Sequence, residues 1–215
     1  MQIGVPREIK EQEYRVGLTP FGVRELVSRG HNVIVEDNAG IDIDFTNEQY
    51  HASGALIVDT ASEVYDKAEL IVKVKEPQVD EYNSIKENQI LFCYLHLAAS
   101  EDLVKHLVDV NCIAIAYETI TASDGSLPLL APMSEVAGKV AVQAGAHCLH
   151  KYKGGRGVLL GGVPGVMPGN VAIIGGGVVG ANAAQVAAGM GANVTILEQS
   201  INNIRSLNWR FGNNV

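Results

Sequence analysis

The chain has 215 residues, of which 47% are hydrophobic and 19% are charged, and its formal net charge is −8 at pH 7. These values are typical of a soluble globular protein with one large or two small domains. The acidic charge argues against nucleic acid or an anionic membrane as a partner. No apolar run approaches the roughly 18 residues of a membrane span, and the N-terminus lacks a signal core, so we expect a cytoplasmic protein.

The first part of the chain alternates short apolar runs with helical patterns. Thr19, Thr46 and Ser100 are predicted helix N-caps, and Gln49 completes a capping box with Thr46. This alternation predicts an α/β fold with a mainly parallel sheet covered by helices on both faces. Six runs are predicted strands: Ile3–Val5, Asn32–Glu36, Ala55–Val58, Leu70–Val74, Ile90–Tyr94 and Ile113–Tyr117.

A long helix is predicted from Ser134 to about Tyr152. Its apolar stripe recurs every four residues and is expected to be a packing face, either between domains or between subunits. The stripe contains Val136, Val140, Ala144 and Cys148. We place a domain boundary near residue 130, which gives domains of residues 1–130 and 131–215.

A glycine-rich turn, Gly175 to Gly180, follows the apolar run Val171–Ile174 and opens into a helical pattern. Strand, glycine turn and helix in this order are typical of a dinucleotide-binding βαβ unit. Gly175 would permit the tight turn, Gly177 the approach of backbone N–H groups to a pyrophosphate, and Gly180 close packing of helix on strand. The alternative is an ordinary tight turn in an α/β domain.

Glu198 ends the next apolar run, Asn193–Leu197. A carboxylate there would accept hydrogen bonds from a ribose diol and repel a 2′-phosphate, which favours NAD over NADP. The pyrophosphate would lie at the helix N-terminus. Only one further helix is expected before Val215, so this second Rossmann-like domain is predicted to be incomplete.

Arg15, Lys75 and His96 are candidate site residues because each follows a predicted strand of the first domain. Ligands of open α/β sheets bind outside the carboxyl ends of strands. A guanidinium suits a carboxylate, and a histidine exchanges protons near neutral pH. Strand alternation predicts that Lys73 and Lys75 share one face. The alternatives are a surface arginine, two lysines that reach solvent at an edge, and a structural histidine.

No metal site is predicted. His147 and His150 lie three apart on a helix but have no third ligand. The cysteines Cys93, Cys112 and Cys148 have no C-x-x-C spacing, so we expect them to be buried and to pack as small hydrophobic residues.

Seven motifs in order resemble the alanine dehydrogenase family, which includes the nucleotide-binding subunit of proton-translocating transhydrogenase. The resemblance covers nearly the whole chain, and the His96 segment favours the dehydrogenase branch. The motifs are Ile3–Glu8, Arg15-Val16 with Thr19-Pro20, Lys73–Pro77, Leu95–Ala99, Ala116–Thr119, Leu130–Gly138 and Gly161–Val166.

The resemblance implies reversible oxidative deamination of L-alanine by NAD to pyruvate and ammonia, in a homo-oligomer that is typically a hexamer. Arg15 and Lys75 would hold the substrate carboxylate, and His96 would be the catalytic acid/base. Ser134 would contact the cofactor, with Met133 lining the cleft.

Two features depart from the family. Glu198 stands where many relatives carry aspartate, and family members continue well past Val215. A truncated chain of this kind is expected to be weakly stable and to show little or no turnover. A non-catalytic remnant, a transhydrogenase-type nucleotide-binding subunit and a dehydrogenase for another α-amino acid are the alternatives.

Overall fold

The computed structural model describes all residues from Met1 to Val215 and divides into two compact units, Met1–Thr121 and Ala122–Val215. The division falls slightly before the boundary that the sequence predicts near residue 130. None of the helices combines the length and apolar character that crossing a bilayer requires.

The first unit is built from six short strands and four helices. The strands are β1 (Gln2–Val5), β2 (Asn32–Glu36), β3 (Leu56–Val58), β4 (Leu70–Val72), β5 (Ile90–Cys93) and β6 (Ile113–Ala116). The helices are α1 (Pro20–Ser28), α2 (Asn47–Ala52), α3 (Ala61–Lys67) and α4 (Glu101–Val110). All neighbouring strands are parallel, in the order β3-β2-β1-β4-β5-β6. The predicted α/β class and parallel sheet are therefore confirmed.

The helix starts follow the predicted capping residues. The Thr19 hydroxyl accepts from the backbone of Gly22, and Thr46 and Gln49 form a reciprocal capping box. Ser100 caps α4 through the backbone N–H of Leu103. Each such cap contributes about 0.5–2 kcal/mol, so these helix boundaries are determined locally.

Two apolar layers cover the sheet because successive side chains of a strand point to opposite faces. In β2, Val33 and Val35 pack in the layer that contains Tyr50 of α2. Ile34, between them, packs in the layer that contains Tyr65 of α3. The chain winds in opposite directions from β1 and from β4, so the crevice outside the carboxyl ends of these two strands is a topological switch point.

The second unit contains a long helix followed by one βαβ unit and a final helix. Its elements are α5 (Ala131–Cys148), β7 (Asn170–Ile174), α6 (Val178–Gly189), β8 (Asn193–Leu197) and α7 (Ile201–Phe211). Strands β7 and β8 are parallel neighbours in register. Their core is made mostly of small residues such as Ala184 and Ala187, so the elements approach closely.

The predicted apolar stripe of α5 is not covered within the second unit, and its role as a contact between domains or subunits stays a prediction. The helix begins at Ala131 instead of Ser134 and ends at Cys148, and Val136 and Val140 on the stripe are 52% and 51% exposed. The covered side carries Gly138, where an added Cβ would lie 2.3 Å from the Val179 carbonyl oxygen of α6. Close approach of two helix backbones selects a glycine face, which a count of large apolar residues overlooks.

The cysteine prediction holds in part. Cys93 is buried, Cys112 is half-buried, and Cys148 is exposed because it lies on the uncovered side of α5. All three are free thiols. Burial raises the pKa of the Cys93 thiol well above its ordinary value.

Candidate active site

Lys75 and His96 lie on adjacent connections that leave the carboxyl ends of β4 and β5. The backbone N–H of Tyr94 donates to the Val74 carbonyl at 3.1 Å, so the two segments stay paired beyond the strands. The imidazole of His96 is exposed, and its ring centroid lies 6.4 Å from that of Tyr94. Both residues therefore occupy the sheet edge that the sequence predicts.

Arg15 lies between β1 and α1 and reaches the same edge. Its guanidinium makes two bonds to the Glu13 carboxylate, of 2.8 Å from Nε and 2.6 Å from Nη2. These bonds hold the pKa of Glu13 below its ordinary value, and the charge of Lys75 acts in the same direction. The charge of Arg15 also acts on Tyr94, where burial raises the pKa of the phenol. The cationic pair and the histidine thus share one region of the first unit, although their roles stay predictions.

Lys73 does not share the position of Lys75. Strand β4 ends at Val72, so the alternation that would place the two lysines on one face stops before them. Lys73 is only 1% exposed, whereas Lys75 is half-buried at the edge. The alternative that both lysines reach solvent is also wrong for Lys73.

Two carboxylates compensate the buried charge of Lys73. Its Nζ lies 2.7 Å from Glu81 Oε1 and 3.4 Å from Glu8 Oε2, in ion pairs rather than well-angled hydrogen bonds. The Tyr65 hydroxyl donates to Glu81 Oε1 at 3.0 Å. Burial alone would lower the pKa of Lys73, but the charges of Glu81 and Glu8 raise it above its ordinary value. Desolvation raises the pKa of Glu8.

Glu8 connects this buried cluster to the segment that carries Lys75. Its Oε1 accepts from the backbone N–H of Val74 at 2.6 Å and from that of Lys75 at 3.4 Å. Sequence reasoning missed Glu8 and Glu81. The available signal was that a lysine in an apolar strand needs a buried partner, which the sequence does not identify.

The glycine turn of the second unit has the geometry that its sequence predicts. Gly175 has φ +94°, a left-handed conformation that closes the turn. A Cβ on Gly180 would lie 1.8 Å from the Gly175 carbonyl oxygen, so strand and helix meet there in contact. A Cβ on Gly177 would meet no heavy atom within 4 Å. The first turn of α6 therefore presents its backbone to open space, which suits an anion at a helix N-terminus.

Glu198 contacts the glycine turn directly. Its Oε2 accepts from the backbone N–H of Gly176 at 2.8 Å, and its Oε1 accepts from those of Gln199 and Ser200 at 2.7 and 2.8 Å. The bonds from Ser200 and Gly176 lower the pKa of this carboxyl group. The longer side chain still brings a carboxylate to the end of β8, beside the turn.

Ser134 lies in the first turns of α5, one residue after the half-buried Met133. It lines a groove of about 750 Å³ that also contains Gly175 and Gly177. A neighbouring cavity of about 890 Å³, lined by Tyr152, Leu159 and Met190 among others, contains none of the predicted residues. Ser134 and the glycine turn therefore share a groove within the second unit.

The lowered pKa of Glu198 predicts an acid-dependent stability of the second unit. A carboxyl group with a lowered folded-state pKa stabilises above its ordinary value, here 4.5, and this contribution is lost as the pH falls through the lower folded-state pKa. Glu198→Gln should therefore flatten the loss of stability below pH 4.5. Urea unfolding at several acidic pH values measures this slope, with Glu135→Gln, an exposed carboxylate of α5, as the control. Equal slopes for Glu198→Gln and the original chain would contradict the prediction.

Comparison with known proteins assigns the family. The family model described as alanine dehydrogenase/PNT, N-terminal domain, matches residues 4–137, and the model of the C-terminal domain matches residues 141–215. The alanine dehydrogenase of Halomonas elongata is 56% identical over 211 residues, which are 98% of this chain and 57% of that protein. The alanine dehydrogenase of Methanococcus maripaludis is 54% identical over the whole chain and 58% of its own length.

Solved structures agree with this assignment. An L-alanine dehydrogenase superposes with a TM-score of 0.92 at 51% identity, over the whole chain and 59% of its own length. A transhydrogenase from Sinorhizobium meliloti superposes with a TM-score of 0.77 at 22% identity, which shows a shared fold. The chain thus spans less than two thirds of the length of these relatives. Matches to both family models, in order along the chain, establish that it belongs to the alanine dehydrogenase/PNT family.

Proposed function

We propose that this chain is the part of an NAD-dependent alanine dehydrogenase that carries the substrate-binding residues and the glycine turn for the cofactor. The reaction is the reversible oxidative deamination of L-alanine to pyruvate and ammonia. The observation that supports it most is the grouping of Arg15, Lys75 and His96 at the carboxyl edge of one parallel sheet. The names of relatives at 54–56% identity support L-alanine as the proposed substrate.

Arg15 and Lys75 are proposed to bind the substrate carboxylate. A guanidinium and an ammonium at one edge provide charge-assisted hydrogen bonds that fix both carboxylate oxygens. Glu13 holds the Arg15 side chain in place through two bonds, so less rotamer freedom is lost on binding. Fixing the carboxylate orients the α-carbon and its amino group, which lowers the entropic part of the barrier.

His96 is proposed to be the acid/base. Loss of a hydride from the α-carbon and of a proton from the amino group gives an imine, and water adds to the imine carbon. Proton transfer from the added hydroxyl to the nitrogen then releases ammonia and leaves the carbonyl group of pyruvate. An imidazole accepts and donates protons near neutral pH, so the exposed His96 is suited to these transfers.

The second unit is proposed to bind NAD. The open space at Gly177, the helix N-terminus behind it and the carboxylate of Glu198 fit a pyrophosphate and a ribose diol. Ser134 in the same groove is the proposed further contact. Bound there, NAD supplies the acceptor for the two electrons that leave the α-carbon.

A chimera tests the catalytic proposal. Residues 1–215 replace the matching part of the Halomonas elongata enzyme, which they resemble at 56% identity. We expect alanine-dependent formation of NADH, and a loss of about 100-fold or more in kcat for His96→Ala with NAD binding retained. Full activity of His96→Ala would show that His96 is not the acid/base, whereas a chimera that does not oxidise alanine would favour the alternative of a non-catalytic remnant or a transhydrogenase-type subunit. A panel of α-amino acids tests the preference for alanine.

The carboxylate contacts give a prediction for binding by the chain itself. Arg15→Met and Lys75→Met should each weaken pyruvate binding roughly 10- to 100-fold, because each removes a charged hydrogen bond of about 1.5–3 kcal/mol. Isothermal titration calorimetry measures this loss. Arg24→Met, which removes an exposed arginine of α1, is the control and should bind as the original chain does. Equal affinities for all three variants would refute the proposed contacts.

Family resemblance also leads us to infer a homo-oligomer, with a hexamer as the expected form. Sedimentation equilibrium of the chimera tests this inference, and a monomer would exclude it.

A further inference from the structure

Glu118 faces the backbone of the segment that carries His96. It lies in a short 3-10 turn, Tyr117–Thr119, directly after β6. Its Oε1 accepts from the backbone N–H of His96 at 2.7 Å, and its Oε2 accepts from that of Leu95 at 3.3 Å. One half-buried carboxylate thus binds two consecutive N–H groups at the end of the neighbouring strand β5.

His96 needs such support because its backbone is in the left-handed region, with φ 47° and ψ 39°. This conformation costs a residue with a side chain about 1–2 kcal/mol and persists where the surroundings hold it. Charge-assisted hydrogen bonds to backbone N–H groups are short and stronger than neutral ones. The Glu118 carboxylate is therefore positioned to hold the turn on which the imidazole is mounted.

Aromatic packing also holds the segment that carries Glu118. The Tyr117 ring, one residue before it, packs edge-on against Phe92 and Tyr94, with centroid distances of 4.3 and 5.0 Å. Phe92 belongs to β5, and Tyr94 precedes His96 by two residues. The segments that carry Glu118 and His96 are thus connected by aromatic packing as well as by hydrogen bonds, which limits independent movement of either segment.

We propose that Glu118 is a positioning residue for His96: it holds the left-handed turn and thereby directs the imidazole toward the substrate at Arg15 and Lys75. It acts through the backbone and touches neither substrate nor cofactor. The proposal rests on the acid/base role of His96. Misplacement of a reacting group by about 1 Å costs up to ~100-fold in rate, so loss of this support should appear in kcat.

Variants of Glu118 are compared with a matched carboxylate elsewhere in the sheet. Glu69 Oε2 accepts from the backbone N–H of Gln2 at 2.6 Å, at the amino end of the strands, opposite the site. Glu69→Ala therefore removes the same kind of bond without reaching His96. Glu118→Gln keeps one acceptor oxygen and should show an intermediate effect, whereas Glu118→Ala removes both bonds.

In the chimera, Glu118→Ala should lower kcat about 10- to 100-fold with the KM for NAD unchanged, and Glu118→Gln should recover part of this loss. Glu69→Ala should leave kcat unchanged. A kcat for Glu118→Ala within twofold of the original would overturn the proposal, provided that His96→Ala abolishes turnover.

Nuclear magnetic resonance of the 215-residue chain tests the geometry without turnover. In the original chain, the backbone N–H groups of His96 and Leu95 donate to the Glu118 carboxylate, so Glu118→Ala should shift both amide proton resonances, whereas Glu69→Ala should leave them unchanged. Unchanged amide resonances of His96 and Leu95 in Glu118→Ala would overturn the inferred contact. If the chimera were inactive in every form, the proposed function would fail, and the amide proton shifts would still decide whether Glu118 holds His96.

Discussion

Lys73→Met is expected to lower the free energy of unfolding of the first unit by about 3–5 kcal/mol, because it leaves two buried carboxylates without their cation. Glu8 and Glu81 are 8% and 5% exposed, so water cannot replace the ammonium. Urea unfolding followed by far-UV circular dichroism measures the loss. Trp209, the single tryptophan, lies in α7 of the second unit and reports separately on that unit.

Lys86→Met is the matched control for this prediction. Lys86 also pairs with a carboxylate, Asp66, at 2.8 Å, but both side chains are about half exposed or more. Exposed ion pairs contribute roughly 0–1 kcal/mol, so the control should unfold almost as the original chain does. A loss for Lys73→Met no larger than that for Lys86→Met would contradict a buried ionic cluster.

The pH dependence of the cluster has a definite sign. The folded-state pKa of Lys73 is raised, so its contribution is complete below its ordinary value of 10.5 and is lost as the pH rises through the higher folded-state pKa. The original chain should therefore lose more stability above pH 10.5 than Lys73→Met does. The deficit of Lys73→Met should shrink at acidic pH, where protonation of Glu8 removes its unpaired charge.

Gly180→Ala and Gly177→Ala are expected to separate folding from cofactor binding. An alanine Cβ at position 180 would overlap the Gly175 carbonyl oxygen at 1.8 Å, and the backbone must move. Overpacking costs about 1–3 kcal/mol and occasionally more, so Gly180→Ala should destabilise the second unit and lose NAD binding with it.

Gly177→Ala should instead fold normally but bind NAD poorly. The added Cβ meets nothing within 4 Å, and the φ of −68° is ordinary for alanine. Alanine is a poorer N-cap than glycine, which costs less than about 1 kcal/mol. The methyl group would occupy the space through which the pyrophosphate approaches the backbone, so NAD affinity should fall at least ~10-fold.

Equilibrium dialysis of NAD and urea unfolding are measured on both variants. Gly189→Ala is the control, because Gly189 ends the same helix and its Cβ would also meet nothing within 4 Å. Original affinity in Gly177→Ala would show that the open space is not the pyrophosphate site.

Local sequence signals predicted the fold well. The capping hydroxyls of Thr19, Thr46 and Ser100 bond to residues within the next helical turn, so their effect is readable from the sequence. The glycine turn is equally local, since Gly175 and Gly180 meet within one strand–helix junction. The prediction that Lys73 shares one strand face with Lys75 failed, because β4 ends at Val72, before Lys73. A carboxylate that is distant in the sequence, Glu8, stabilises the buried charge of Lys73.

The supporting residues of the site were not predictable in this way. Glu118 binds the backbone of a residue 22 positions earlier, and Glu8 binds that of Val74, 66 positions later. Bonds between a side chain and a remote backbone leave no periodic pattern in a single sequence. The covered face of α5 was missed for a related reason, since Gly138 serves close packing without contributing hydrophobicity.

Pyruvate titration of the isotopically labelled chain tests the shared site most directly. The chain has six histidines, and their imidazole resonances can be followed together in one spectrum. We expect a saturable shift of the His96 imidazole, unchanged resonances for the other histidines, and loss of the shift in Arg15→Met. Saturable pyruvate binding that leaves His96 unchanged, or that persists in Arg15→Met, would show that these residues do not form one substrate site.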